Sequence, residues 1–179
     1  MVIAETTRWL ERAVIGLNLC PFAKAVHVKS QIRYAVCKTA SPEHLLAELI
    51  RELQLLVASD PNVTETTLLI HPNVFNEFLD YNDFLEIADA TITELKLDGM
   101  IQIASFHPQY QFAGTEPDDI TNFTNRSPYP TLHLLREESV SRAVAAFPDA
   151  GDIFEKNIET LERLGLAGWK KLLRRDDFG

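Results

Sequence analysis

Two histidines in this chain occupy the same local context. His71 closes the aliphatic run Thr-Leu-Leu-Ile and precedes Pro72; His107 closes the run Ile-Gln-Ile-Ala-Ser-Phe and precedes Pro108. A following proline keeps the residue before it extended, so each imidazole leaves its strand end in a narrow range of directions. Two imidazoles fixed at neighbouring strand ends would make an acid and base pair that exchanges protons near neutral pH. The alternative is a strand-end histidine hydrogen-bonded to a neighbouring loop carbonyl. Both readings stand at this point.

The second chemical feature lies in the 105–130 segment, SFHPQYQFAGTEPDDITNFTNRSPYP, which begins beside His107 and ends in Asn125-Arg126-Ser127 and three further residues. Long ordered segments between strands are uncommon and usually functional. Arg126, a fork-shaped cation between an amide and a hydroxyl, matches a carboxylate or phosphate. Its alternative is to order the segment through Asp118 and Asp119. Arg136, at the end of the next strand, supplies another cation, and Tyr110 and Phe112 either stack on a ligand or pin the segment to the body. Glu116, Asp118 and Asp119 follow Gly114 and Pro117, and are expected in the first turn of a short helix capped by Thr115.

Cys20 precedes Pro21. It would be nucleophilic if a short helix beginning at Pro21 lowered its thiolate pKa, and is otherwise a buried, inert thiol. His71 and His107 with Cys20, Glu116 or Asp118 have the donor types of a zinc or iron site, but no closely spaced motif groups them, so no metal or cofactor is assigned. His133, sharing a strand face with Thr131 and Leu135, reads as a satisfied, half-buried histidine.

Elements able to hold these groups follow from periodicity. A helix capped at Thr6 or Thr7 runs to about Asn18, with Leu10, Ala13, Val14 and Leu17 on one face. Residues 31–37 alternate as a half-buried strand. Ser41 and Pro42 open a helix with Leu45, Leu46, Leu49, Ile50, Leu53 and Leu56 as its stripe. Thr66–Ile70 is a buried strand, and Phe75, Phe78, Leu79, Phe84, Leu85, Ala88 and Ile92 outline a helix. Residues 99–105 and Thr131–Arg136 are the third and fourth strands. A helix after Glu137-Glu138-Ser139 stops at Pro148, and another over 153–174 is interrupted near Gly165 and Gly168. The order α-β-α-β-α-β-loop-β-α-α predicts one α/β or α+β domain, residues 1–179, with helices packed on a mixed four-stranded sheet in a thioredoxin-like or ferredoxin-like arrangement. An antiparallel fourth strand would bring Asn125-Arg126-Ser127 to the edge that carries His71 and His107; a parallel one would not.

Composition narrows the partners. The chain has 179 residues, 46% of them hydrophobic, enough for one sizeable core. Its net charge of −9 opposes nucleic acid, and Lys170, Lys171, Arg174 and Arg175 sit where cations suit a helix C-terminus. Charges interrupt the N-terminal apolar residues, so neither a signal peptide nor a membrane span is expected. Two cysteines without metal-type spacing fit a reducing, cytoplasmic setting. A small anionic molecule is the expected partner. Two functions compete: an enzyme using His71 and His107 with an arginine-held anion, or a non-catalytic ligand-binding or regulatory domain. A third is an interaction protein that presents the 105–130 segment.

Several strings carry a resemblance: NLCPFAKAV at 18–26, ETTLLIHP at 65–72, DYNDFL at 80–85, ASFHPQYQFAGT at 104–115 and TNRSPYPTLHLLRE at 124–137. Together they resemble a bacterial and plant-plastid family of uncharacterised single-domain proteins across nearly the whole chain. That resemblance implies one domain and no particular activity or cofactor. Locally, Tyr129-Pro130-Thr131-Leu132 resembles the proline-threonine entry of a thioredoxin-fold strand, and Cys20-Pro21-Phe22-Ala23 resembles a redox motif without its second cysteine.

Overall fold

Residues 1–146 and 152–173 are described by a computed structural model. The expected helix stop at Pro148 and the two arginines at 174 and 175 lie outside the described residues. Four strands, β1 (Ile32–Val36), β2 (Thr66–Ile70), β3 (Ile101–Phe106) and β4 (Thr131–Arg136), form one mixed sheet in the order β1-β2-β4-β3. β1 and β2 are parallel, while β4 runs antiparallel to both neighbours. The start of β4 therefore meets the ends of β2 and β3, with Thr131 opposite both Ile70 and Phe106.

One sheet face is covered by α3 (Pro42–Ala58) and α4 (Phe78–Glu94). Ser41 caps α3 by accepting from the His44 N–H, Pro42 sets the first turn, and Leu45, Leu49, Leu53 and Leu56 are completely buried at helical spacing. They meet Ala35, Leu69, Leu132, Leu134 and Tyr81. Glu52 is also buried on this stripe. It is accepted because Arg33 of β1 grips both its oxygens at 2.6 and 3.1 Å and Arg51 approaches at 3.0 Å. Arg33→Ala is expected to destabilise the fold by about 2 kcal/mol in urea titration, with Arg33→Lys a poor rescue because it lacks the fork.

The other face receives α1 (Val2–Trp9), its continuation as a wider π-type turn over Leu10–Ile15, and α6 (Ile153–Leu172). Trp9, Leu10, Ala13, Val14, Phe123, Leu161 and Trp169 form that second core. Two local expectations are corrected, the start of the first helix and the cap in the 105–130 segment, while a short helix after Pro21 and a break near Gly165 are as the sequence allows. The first helix begins at Val2, because Thr6 does not cap it but bonds its hydroxyl back to the Val2 carbonyl from within. A short helix, α2 (Ala23–Val28), follows Pro21, and the interruption of α6 falls at Gly165, whose φ of 65° suits glycine, while Gly168 stays helical. In the 105–130 segment the short helix is a tight one over Ile120–Asn125, capped by Asp119 rather than Thr115. α5 (Glu137–Ala146) packs at the far end of β4.

Candidate functional site

The antiparallel β4 places His71, His107 and the end of the 105–130 segment at one sheet edge. His71 N–H donates to the Pro130 carbonyl at 3.0 Å, and His107 N–H donates to the Asn125 carbonyl at 3.1 Å. The two rings do not open onto that edge. Both residues are 0% exposed, and Tyr81 of α4 lies against each, with ring centroids 5.6 Å from His71 and 5.1 Å from His107. This three-ring layer belongs to the α3/α4 face, as strand alternation from Leu69 requires.

Hydrogen bonds fix the charge state of each ring. His107 Nδ1 accepts from the Gln109 N–H at 3.0 Å, so Nε2 carries the proton and donates to the Phe75 carbonyl at 3.0 Å. His71 Nδ1 donates to the adjacent Val74 carbonyl at 3.0 Å, which leaves its buried Nε2 without a partner. Burial, assisted at His71 by the neighbouring His107, holds the His71 pKa down at about 4 and also lowers that of His107. Neutral imidazoles donating to consecutive carbonyls clamp the 71–77 turn, in which Phe75 has a φ of 57°. His133 is similarly neutral. Thr66 donates its hydroxyl proton to the Leu134 carbonyl at 2.6 Å and so accepts from His133 Nε2 at 2.8 Å, while burial of the ring keeps its pKa at about 4.

The 105–130 segment is built around Asn122, which is completely buried. Its side-chain oxygen accepts from Phe112 N–H at 2.9 Å and Thr115 hydroxyl at 2.8 Å, and its amide donates to the Glu116 carbonyl at 2.8 Å. Asn125 ties back to the Ser105 carbonyl, and the buried Ser127 donates to the Tyr129 carbonyl. Tyr110 packs on Phe78 and Phe112, with centroids 5.1 and 5.0 Å apart. Arg126 donates to the Tyr110 and Pro117 carbonyls and lies 4.3 Å over the Phe123 ring. It therefore orders the segment through carbonyls, not through Asp118 and Asp119. Burial pulls its pKa below the ordinary arginine value, the reverse of what a carboxylate partner would do.

Arg126 and Ser127 line a cleft of about 310 Å³ on the α1/α6 side of the sheet edge, shared with Glu5, Arg8, Trp9, Pro108, Pro128 and Trp169. No histidine borders it. Among the described residues Arg8 and Arg126 pair with no carboxylate, Arg126 being held by backbone carbonyls, and the buried Trp9 indole N–H, on a residue 2% exposed, has no partner. Glu5 brings the cleft's carboxylate and accepts from the Tyr129 hydroxyl. Sequence reasoning passed over Arg8 and Trp9. A helix otherwise read as packing gave no reason to single out one cation from its neighbours, and long-range folding brings it beside Arg126.

Other sequence candidates fall elsewhere. Arg136 sits at the opposite end of β4, where it donates to the Leu56, Ser59 and Thr64 carbonyls and closes the C-terminus of α3. Cys20 does lie just before a short helix, and the nearby Phe22 and Ala23 N–H groups favour its thiolate, but burial outweighs them and pushes the thiol pKa up. Glu116 and Asp118 are exposed, and among the described residues no group of three or more His, Cys, Asp or Glu side chains could hold a metal ion.

A family model described as protein of unknown function (DUF1415) matches residues 1–171. No curated protein and no solved structure matches the chain. Among the described residues no helix is long and apolar enough to cross a membrane.

Proposed function

We infer, for a chain that belongs to the DUF1415 family, a small-anion-binding function seated in the cleft between α1, the 105–130 segment and α6. The observation that carries this reading is the meeting of two arginines, Arg8 and Arg126, on one concave surface with a single carboxylate, Glu5. The excess positive charge of a partly buried cleft favours an incoming oxyanion, which the two guanidinium groups meet with charge-assisted hydrogen bonds. Phe123, Trp9, Trp169 and the two prolines supply flat apolar walls, so the matching ligand joins a carboxylate or phosphate to a planar apolar body.

Binding without turnover is the form the geometry favours. His71 and His107 lie on the other face of the sheet, buried and engaged with backbone carbonyls, so they offer no proton to an anion in the cleft. A catalytic reading has one observation in its favour, the Glu5 carboxylate on the cleft wall beside the Tyr129 hydroxyl. Glu5→Gln separates the two: it should leave anion binding in place, and would abolish turnover if turnover exists.

Thermal shift with phenyl phosphate, benzoate and neutral benzamide tests the binding. The two anions should raise the melting temperature in a saturable way and benzamide should not. Arg126→Ala or Arg8→Ala should each weaken phenyl phosphate by about 2 kcal/mol, roughly thirtyfold. Equal shifts from benzamide, or none from either anion, would remove the proposal.

A further inference from the structure

The opposite face of the sheet carries a second recess with the opposite sign. Between the first turn of α3 and the outer side of α4 lies a groove of about 420 Å³, floored by Leu46, Phe75, Phe84 and Ile87 and rimmed by Glu43, Asp80 and Asp83. Ile87 of its floor is 49% exposed, and Leu79, one residue before the rim's Asp80, is 75% exposed, so apolar surface extends past the groove. Contiguous exposed apolar surface bordered by polar residues marks an interaction site more often than it marks idle surface.

Charge selects what can sit there. The sequence has no lysine or arginine between Arg51 and Lys96, a stretch that supplies β2, the 71–77 turn and all of α4. Among the described residues no cation pairs with Asp80 or Asp83. An anionic lipid surface or a nucleic acid would be repelled, and two copies of this chain meeting through this face would oppose like charges. A cationic partner gains on each count.

The recess is also preformed. Phe75 stacks on Phe84 with centroids 4.7 Å apart and an angle of 29°, and the clamped carbonyls of Val74 and Phe75 are held from below by the buried His71 and His107. A wall that is already ordered costs little to organise on binding.

We propose that this groove docks an amphipathic, lysine- or arginine-rich helical segment of a partner protein. Its apolar side chains enter between Leu46, Phe84 and Ile87, and its cations meet the carboxylates of the rim. On α4 the lining residues run from Asp80 to Ile87, so the groove takes about two turns of such a helix.

The test uses the full chain and a fluorescein-labelled leucine–lysine peptide of amphipathic helical pattern, with a scrambled peptide of the same composition as its control. Fluorescence anisotropy should give a Kd on the order of 10 μM for the amphipathic peptide and about tenfold weaker binding for the scrambled one. Leu79→Ser with Ile87→Ser, both at exposed positions, should weaken binding about tenfold, as should Asp80→Asn with Asp83→Asn. Equal affinity for the two peptides, or loss on removing the carboxylates with no loss on removing Leu79 and Ile87, would reduce the effect to diffuse charge attraction and overturn the proposal. No binding of the amphipathic peptide overturns it as well. Phenyl phosphate should not compete, because the anion cleft lies on the other face; this keeps failure of one site distinct from failure of the other.

Discussion

Lowering the pH from 7 to 5 should remove about 2 kcal/mol of folding stability through His71 alone, with a like amount from His133. Both imidazoles are held uncharged in the folded chain, with pKa values near 4 against an ordinary value of 6.5. Unfolding exposes them to water, where they take up protons below pH 6.5. Across the window from 6.5 to 4 the unfolded chain thus binds more protons than the folded one, so stability falls with pH, and below about 4 this contribution levels off. His107, also shifted down, acts in the same direction. Against a usual domain stability of 5–15 kcal/mol this is a large share, roughly a third. Urea titrations at pH 7 and 5 measure it. A difference below about 1 kcal/mol would mean that the imidazoles are not buried in neutral form.

The same burial explains why the histidine pair and the anion cleft part company. Alternation along β3 sends Phe106 to the α1/α6 face, where it meets Trp9 at 5.3 Å, and His107 to the α3/α4 face, where it meets Tyr81. Neighbours in sequence thus serve opposite sides of one sheet edge. Pro108 then returns the chain to the cleft wall. The edge carries two recesses of opposite charge, one shaped by Arg126 and the other backed by the clamped 71–77 turn.

Much of this architecture was legible in local sequence. The Leu45–Leu49–Leu53–Leu56 stripe, the Ser41-Pro42 start of α3 and the four strands follow from periodicity and capping chemistry, which depend on near neighbours. The direction of β4 was not legible, because it depends on which edge the 105–130 segment returns to, and that return is held by long-range bonds between Asn125 and the end of β3, to the His107 N–H and the Ser105 carbonyl. At the site, proline contexts correctly singled out His71 and His107 as fixed side chains. They could not tell whether the rings faced solvent or Tyr81, since the deciding partner is on a helix that precedes β3. Arg8, Trp9 and the acidic groove were hidden for the same reason: each draws its meaning from residues distant in sequence.

His107→Ala should cost about 3–4 kcal/mol and leave the anion cleft nearly unchanged. The imidazole fills completely buried space between Tyr81 and Phe78, and its removal deletes ring contacts at 5.1 and 5.5 Å. It also strands the Phe75 carbonyl without its donor and the Gln109 N–H without its acceptor. A cavity from a lost ring and two unpaired polar groups together account for a loss of that size. Phenyl phosphate affinity, measured at low temperature where the variant stays folded, should hold within about twofold, as expected of sites that share no partner. Peptide binding at the groove should instead weaken about fivefold, because Phe75 loses the clamp that fixes its wall. The opposite pattern, unchanged stability with lost phenyl phosphate binding, would make His107 a ligand residue and return the histidine pair to the anion site. His107→Gln offers the finer reading: a side-chain amide that reaches the Phe75 carbonyl should recover part of the stability and of the peptide affinity, whereas an acid–base role would not be rescued by it.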